Sequence, residues 1–146
     1  MEGYYGRERH DTFTPDGFYR TGDLFHVDAD GFYYFTGRRG DMIKTTGANV
    51  APREVEAAIA EVTGLVAHVI GIDDADRGQL VAAAVRLREG HAVPDAHELQ
   101  TALRSRLSAY KVPKRYLFLT DGEVPMLSSG KLDARALQAR FSRGTP

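Results

Sequence analysis

Three segments carry residue types able to do chemistry. In the stretch 19–24, Asp23 sits in a glycine turn after Thr21 and Gly22. A carboxylate held there could accept hydrogen bonds from two vicinal hydroxyls, as on a ribose, or could cap its own turn. Gly37-Arg38 and Lys44-Thr45-Thr46-Gly47 set two cations on either side of a glycine-bearing link, and Gly47 would let a slender ligand approach the backbone closely. An ordinary strand ended by glycines would read the same way. The third segment, Pro125 to Lys131, has the look of a phosphate loop but fails its spacing. Pro125 stands where the first glycine belongs, and Leu132 where the magnesium-binding hydroxyl belongs. What remains is a polar loop presenting Lys131, either as a surface lysine in a serine-glycine turn or as a cation placed to meet charge growing on a phosphoryl or carboxylate oxygen. At 4 Å and moderate effective dielectric such a contact is worth about 4 kcal/mol.

Other chemistries are excluded by composition. The 146 residues contain no cysteine, which removes thiol nucleophiles, disulfides and zinc–thiolate sites. His10, His26, His68, His91 and His97 have no metal-ligand spacing, so no metal site is expected. A net charge of −1 gives no global field to recruit nucleic acid or an anionic membrane. No apolar run reaches membrane-spanning length, and the N-terminus lacks the apolar core of a signal peptide. A cytoplasmic setting is therefore expected. At 42% hydrophobic and 27% charged, the chain has the makings of one ordinary core.

Periodicity and turn chemistry give the strands and helices that carry these residues. Leu24–Val27 and Phe32–Thr36 flank the turn signal Asp28-Ala29-Asp30-Gly31 and predict a β-hairpin. Asp16 to Tyr19 partly echoes Asp30 to Tyr33, which falls short of a repeat. Gly37 to Asp41 is glycine-flanked and charged, and reads as a boundary or hinge. Beyond it, Met42–Thr45 predicts a strand ending at the Gly47 turn. Pro52 suits the first turn of a helix whose apolar face is Val55, Ile59 and Val62. Ala67–Ile72 and Leu80–Leu87 predict two strands, and Asp95 with Glu98 a capping box before a helix striped by Leu99, Leu103 and Leu107. Tyr116–Leu119 predicts another strand. A last helix starts near Asp133 and buries Leu137 and Phe141. The fold expected is α+β: a short sheet packed by helices, preceded by a hairpin.

Taken together, the order and spacing of five motifs are specific. The stretches 19–24, 37–44 and 52–56, with Leu107 to Pro113 and Pro125 to Lys131, resemble the adenylate-forming superfamily of acyl-CoA synthetases, luciferases and peptide-synthetase adenylation domains. The pattern at Asp41–Lys44 and Asn49–Pro52 is more similar to acyl-CoA ligases. The resemblance implies that residues 1–37 are the end of a large N-terminal AMP-binding domain, 38–41 a hinge and 42–146 a mobile C-terminal domain. It implies that Asp23 binds the ribose hydroxyls of ATP and AMP, and that Arg38 contacts ribose or phosphate. Lys131 would touch the substrate carboxylate and the α-phosphate during adenylation. Lys44 and Gly47 would meet the acyl-adenylate and the pantetheine arm of CoA after a rotation about Gly40 and Asp41. The family usually has aspartate or lysine at the position of Gly40. Partners implied are the large domain of the same enzyme, a small carboxylic acid and CoA, with Mg2+ accompanying ATP. Segments for the phosphate loop, adenine and acyl pocket would precede this region, so the chain alone is expected to be inactive. Two other readings are a lid that loads a carrier protein and a non-catalytic complementing subunit.

Overall fold

The computed structural model describes residues 5–90 and 92–143; His91 falls outside them. These residues form two compact units that divide between Gly40 and Asp41.

The first unit carries one helical turn, α1 (Arg9–Thr12), and a two-stranded antiparallel ribbon, β1 (Asp23–Val27) with β2 (Tyr33–Arg38). Its turn is built by Asp28, whose Oδ1 accepts from the backbone N–H groups of Asp30 at 3.0 Å and Phe32 at 2.9 Å. Tyr34 Oη donates to Oδ2 at 2.9 Å. These bonds stabilise the ionised carboxyl, and its pKa lies below the usual aspartate value, the Phe32 N–H contributing most. Along one face Phe25 meets Tyr33 and Phe35 edge-on, with centroids 6.2 and 5.6 Å apart. The register slips between Leu24 and Phe25, so the paired ribbon ends with Asp23 opposite Arg38.

In the second unit, five strands form one sheet: β3 (Ile43–Thr45), β4 (Ala48–Val50), β5 (Val66–Asp74), β6 (Gly78–Arg86) and β7 (Arg115–Leu119). Three helices flank it, α2 (Pro52–Thr63), α3 (Ala96–Arg104) and α4 (Ala134–Arg143). β6 is central. It pairs with β5 antiparallel along its whole length, with β7 in parallel from Ala82 to Arg86, and with β3 at Thr45 opposite Gly78. Alternate residues of β6 serve two cores, as strand periodicity requires. Val81, Ala83 and Val85 face Val55 and Ile59 of α2 and Leu99 and Leu103 of α3. Ala82 and Ala84 face Leu137 and Phe141 of α4. Full burial of a side chain such as Phe141 stabilises by about 1.5–3 kcal/mol.

Among the described residues β5 has no strand partner on its outer side, and two helix side chains occupy backbone groups there. Glu56 of α2 accepts from the Val69 N–H at 3.0 Å, and Gln138 of α4 donates to the Gly71 carbonyl at 2.8 Å.

The α+β architecture and the hairpin are as expected. β4 was not foreseen: three residues after a two-residue turn carry too short a pattern to read. α3 stops at Arg104, so Leu107 lies beyond the helix, yet it is buried in the same core. Asp95 caps α3 by accepting from His97 and Glu98 N–H, both at 2.9 Å. A reciprocal capping box occurs instead at Thr120 and Glu123.

Candidate functional site

Asp23 and Arg38 end the two strands of the ribbon and meet there. Arg38 Nε donates to Asp23 Oδ1 at 2.7 Å. The Asp23 side chain is 20% exposed and that of Arg38 63%. The Thr21 hydroxyl accepts from the Asp23 N–H at 3.0 Å, and Gly22 O accepts from Arg39 N–H at 2.8 Å, which closes the turn without help from the carboxylate. Asp23 thus binds a guanidinium rather than its own turn. Among the described residues its second oxygen and the terminal guanidinium nitrogens of Arg38 make no hydrogen bond.

Lys44 lies on β3 and Gly47 in the turn to β4, three residues on. Thr45 pairs with Ala48, so the turn has two residues, Thr46 with φ 51° and Gly47 with φ 76°. Two successive left-handed residues make a type I′ turn, whose twist matches that of the strands. Gly47 suits it. Thr46 is β-branched and strained there, at a cost of about 1–3 kcal/mol. A Cβ on Gly47 would meet no atom within 4 Å, so the space above it is open. Ile43 and Thr45 are buried, whereas Lys44 between them is exposed on the opposite side of the strand. The Lys44 backbone N–H donates to Gln79 Oε1 at 2.9 Å.

Lys131 ends a tight turn. The Leu127 N–H donates to Lys131 O at 2.8 Å, the Gly130 N–H donates to Leu127 O at 2.9 Å, and Met126 bridges Leu132. The base of this loop is fastened to α4. Asp133 N–H donates to Pro125 O at 2.9 Å, and Asp133 Oδ1 accepts from the Ala136 N–H at 2.9 Å. The Lys131 side chain is exposed beyond this brace.

Of the four lysines in the sequence, two are committed within the fold. Lys111 Nζ lies 2.6 Å from Glu54 Oε1, and that hydrogen bond is the main reason its pKa is raised. Lys114 Nζ donates to Ala109 O at 3.5 Å. Lys44 and Lys131, the two that motif spacing singled out, have ammonium groups with no hydrogen bond or ion pair among the described residues. The Glu54–Lys111 pair ties the start of α2 to the segment before β7. Nothing in local sequence marks it, because its members stand 57 positions apart.

Gly40 and Asp41 fall in a single 3-10 turn, Arg39–Asp41, at the division between the two units. A Cβ on Gly40 would meet open space. Among the described residues no group of three or more His, Asp or Glu could hold a metal ion, and no helix is long and apolar enough to cross a membrane.

Comparison with known proteins shows the family. Residues 54–131, more than half of the chain, match the model of the AMP-binding enzyme C-terminal domain. A long-chain-fatty-acid–CoA ligase of Bacillus subtilis (strain 168) is 40% identical over 94% of the chain and 24% of its own length. A sulfoacetate–CoA ligase of Cupriavidus necator is 39% identical over 90% of the chain and 26% of its own length. The solved structure of o-succinylbenzoate CoA synthetase from Bacillus subtilis, in complex with the acyl-adenylate intermediate OSB-AMP, superposes with a TM-score of 0.79 at 33% identity. That match covers 94% of this chain and 28% of the other. The chain thus spans about a quarter of the length of the curated relatives it matches. It belongs to the AMP-binding enzyme C-terminal domain family of the adenylate-forming enzymes, and within them is most like the acid–CoA ligases.

Proposed function

We propose that the chain is the C-terminal lid of an ATP-dependent acid–CoA ligase, acting with a large AMP-binding domain of the same enzyme. Residues 1–37 would be the end of that large domain, 38–41 the hinge with Gly40 and Asp41 at its centre, and 42–146 the mobile part. In the first half-reaction a carboxylate oxygen attacks the α-phosphorus of ATP, pyrophosphate leaves, and an acyl-adenylate forms. In the second the CoA thiol gives up its proton and attacks the acyl carbonyl, and AMP leaves.

Lys131 serves the first step. Bringing a carboxylate to a polyphosphate concentrates negative charge, and a positioned ammonium lowers that barrier. Asp23 accepts the ribose hydroxyls through its uncommitted oxygen, and Arg38 turns its outer nitrogens to ribose or phosphate. Mg2+ travels with ATP as its counter-ion. In the second step the lid has turned, so that Lys44 faces the acyl-adenylate and the pantetheine arm passes over Gly47. The open space above Gly47 supports this reading.

The observation that carries the proposal is Lys131 itself: exposed, without an ion pair among the described residues, at the end of a tight turn whose base is braced against α4. The test is Lys131→Ala in the enzyme that contains both domains. ATP–pyrophosphate exchange should fall about 10²–10³-fold. Normal exchange by that variant would remove the assigned role. The chain by itself should form no acyl-CoA.

A further inference from the structure

We propose that Gln79 is a positioning residue for Lys44, and that Gly71 is glycine so that Gln79 can do this; the inference rests on the role given to Lys44 above. In a two-residue hairpin the pair flanking the turn exchanges backbone bonds, and the next pair does not. Thr45 and Ala48 are the flanking pair, and Lys44 opposite Asn49 is the next. The Lys44 N–H therefore points away from β4. On that side β3 pairs with β6 at Thr45 and Gly78 alone, which leaves the Lys44 donor without a strand carbonyl. Gln79 fills the gap with its side-chain oxygen at 2.9 Å.

A second observation, from the other side of β6, agrees. Gln79 and Gly71 lie on the same face of the sheet, that of Val69 and Val81. A Cβ on Gly71 would come within 2.9 Å of Gln79 Cδ and Oε1 and 3.0 Å of Nε2. The whole amide occupies the place of the missing side chain. Gly71 has no left-handed φ, so its backbone accepts an alanine. What alanine would displace is the free end of one flexible side chain, the end that holds Lys44.

The consequence is local. Lys44 has one buried neighbour on each side, and its main chain is fixed from β4 only through those neighbours. The Thr46 N–H, donating to Arg77 O at 3.1 Å, ties the turn to the residue before β6, and Gln79 anchors the Lys44 N–H. Without it the strand can rock at the point where the ammonium is aimed, and a misplacement of about 1 Å can cost up to 10²-fold in rate.

Three variants test this, Gln79→Ala, Gly71→Ala and Gln79→Glu, the last keeping an acceptor oxygen. In the 146-residue chain, hydrogen exchange at the Lys44 amide should speed up roughly tenfold in the first two and stay near its original rate in the third. In the enzyme carrying both domains, the first two should lower the thioester-forming step about tenfold or more and leave ATP–pyrophosphate exchange within about twofold, with Gln79→Glu restoring the loss. A general loss of structure would lower both steps together, and that result overturns the proposal. So does unchanged Lys44 exchange in Gln79→Ala. Lys44→Ala is the control. If it slows thioester formation while the Gln79 and Gly71 variants do not, the positioning role is wrong. If it has no effect on that step, the underlying role of Lys44 is wrong, whatever the exchange data show.

Discussion

Asp23 and Arg38 stand opposite each other at the open end of the β1–β2 ribbon, joined by a hydrogen bond of 2.7 Å. The pair fixes the carboxylate's orientation, and its other oxygen has no hydrogen bond among the described residues. In the two-domain enzyme, Asp23→Ala should weaken ATP binding roughly 10–100-fold, the worth of about 1.5–3 kcal/mol in hydrogen bonds to a charged group. Titration of the nucleotide by calorimetry measures this. Unaltered affinity would separate Asp23 from the ribose.

Thr46 adopts a left-handed conformation that its branched side chain resists. Thr46→Gly should stabilise the second unit by about 1 kcal/mol, which raises the melting temperature by roughly 4 °C. Thermal unfolding followed by circular dichroism reports it. A lower melting temperature would mean that the Thr46 side chain is held by contacts that outweigh its strain.

Asp95 satisfies two N–H groups at the start of α3. Asp95→Ala should cost about 1 kcal/mol in urea unfolding at neutral pH, and Asp95→Ser markedly less. Equal losses in both would remove the capping explanation.

His68 lies half-buried on β5, and burial pulls its pKa below 6.5; Glu56 pulls it up and Arg86 pushes it further down. Below pH 6.5 the unfolded chain takes up a proton that the folded chain resists. Stability from this group is therefore complete above pH 6.5 and declines as pH falls through the folded-state value. Urea midpoints measured between pH 7 and pH 5 should drop in the parent and drop less in His68→Asn. Parallel pH profiles would exclude His68 as the source.

Gly40 has room for a side chain, and its φ is not left-handed. Gly40→Pro should leave both units folded while restricting the link between them, and so slow the second half-reaction more than the first. Single-turnover assays of the two steps distinguish this from a uniform loss.

The sequence disclosed most of this fold because its signals are local. Pro52 with the spacing of Val55 and Ile59 marked α2, Asp95 marked α3, and the turn at Asp28 to Gly31 marked the ribbon. Motif order, more specific than any single motif, singled out Lys44 and Lys131, and both are exposed. What stayed hidden is non-local. Lys111 answers Glu54, Gln79 answers Lys44 and fills the space at Gly71, and Arg38 answers Asp23 across the ribbon. Such pairings depend on which strands lie side by side, and that is decided by the whole core. The strain at Thr46 was hidden for the same reason: a threonine announces a left-handed turn only after Ala48 is seen opposite Thr45.

Glu56 and Gln138 reach the bare margin of β5 from opposite sides of the sheet. A strand margin with idle amides and carbonyls is a template on which a foreign strand can grow. By occupying the Val69 amide and the Gly71 carbonyl, the two helices break that template near its middle. An extended foreign segment would thus find no unbroken run of free groups along β5 to pair with.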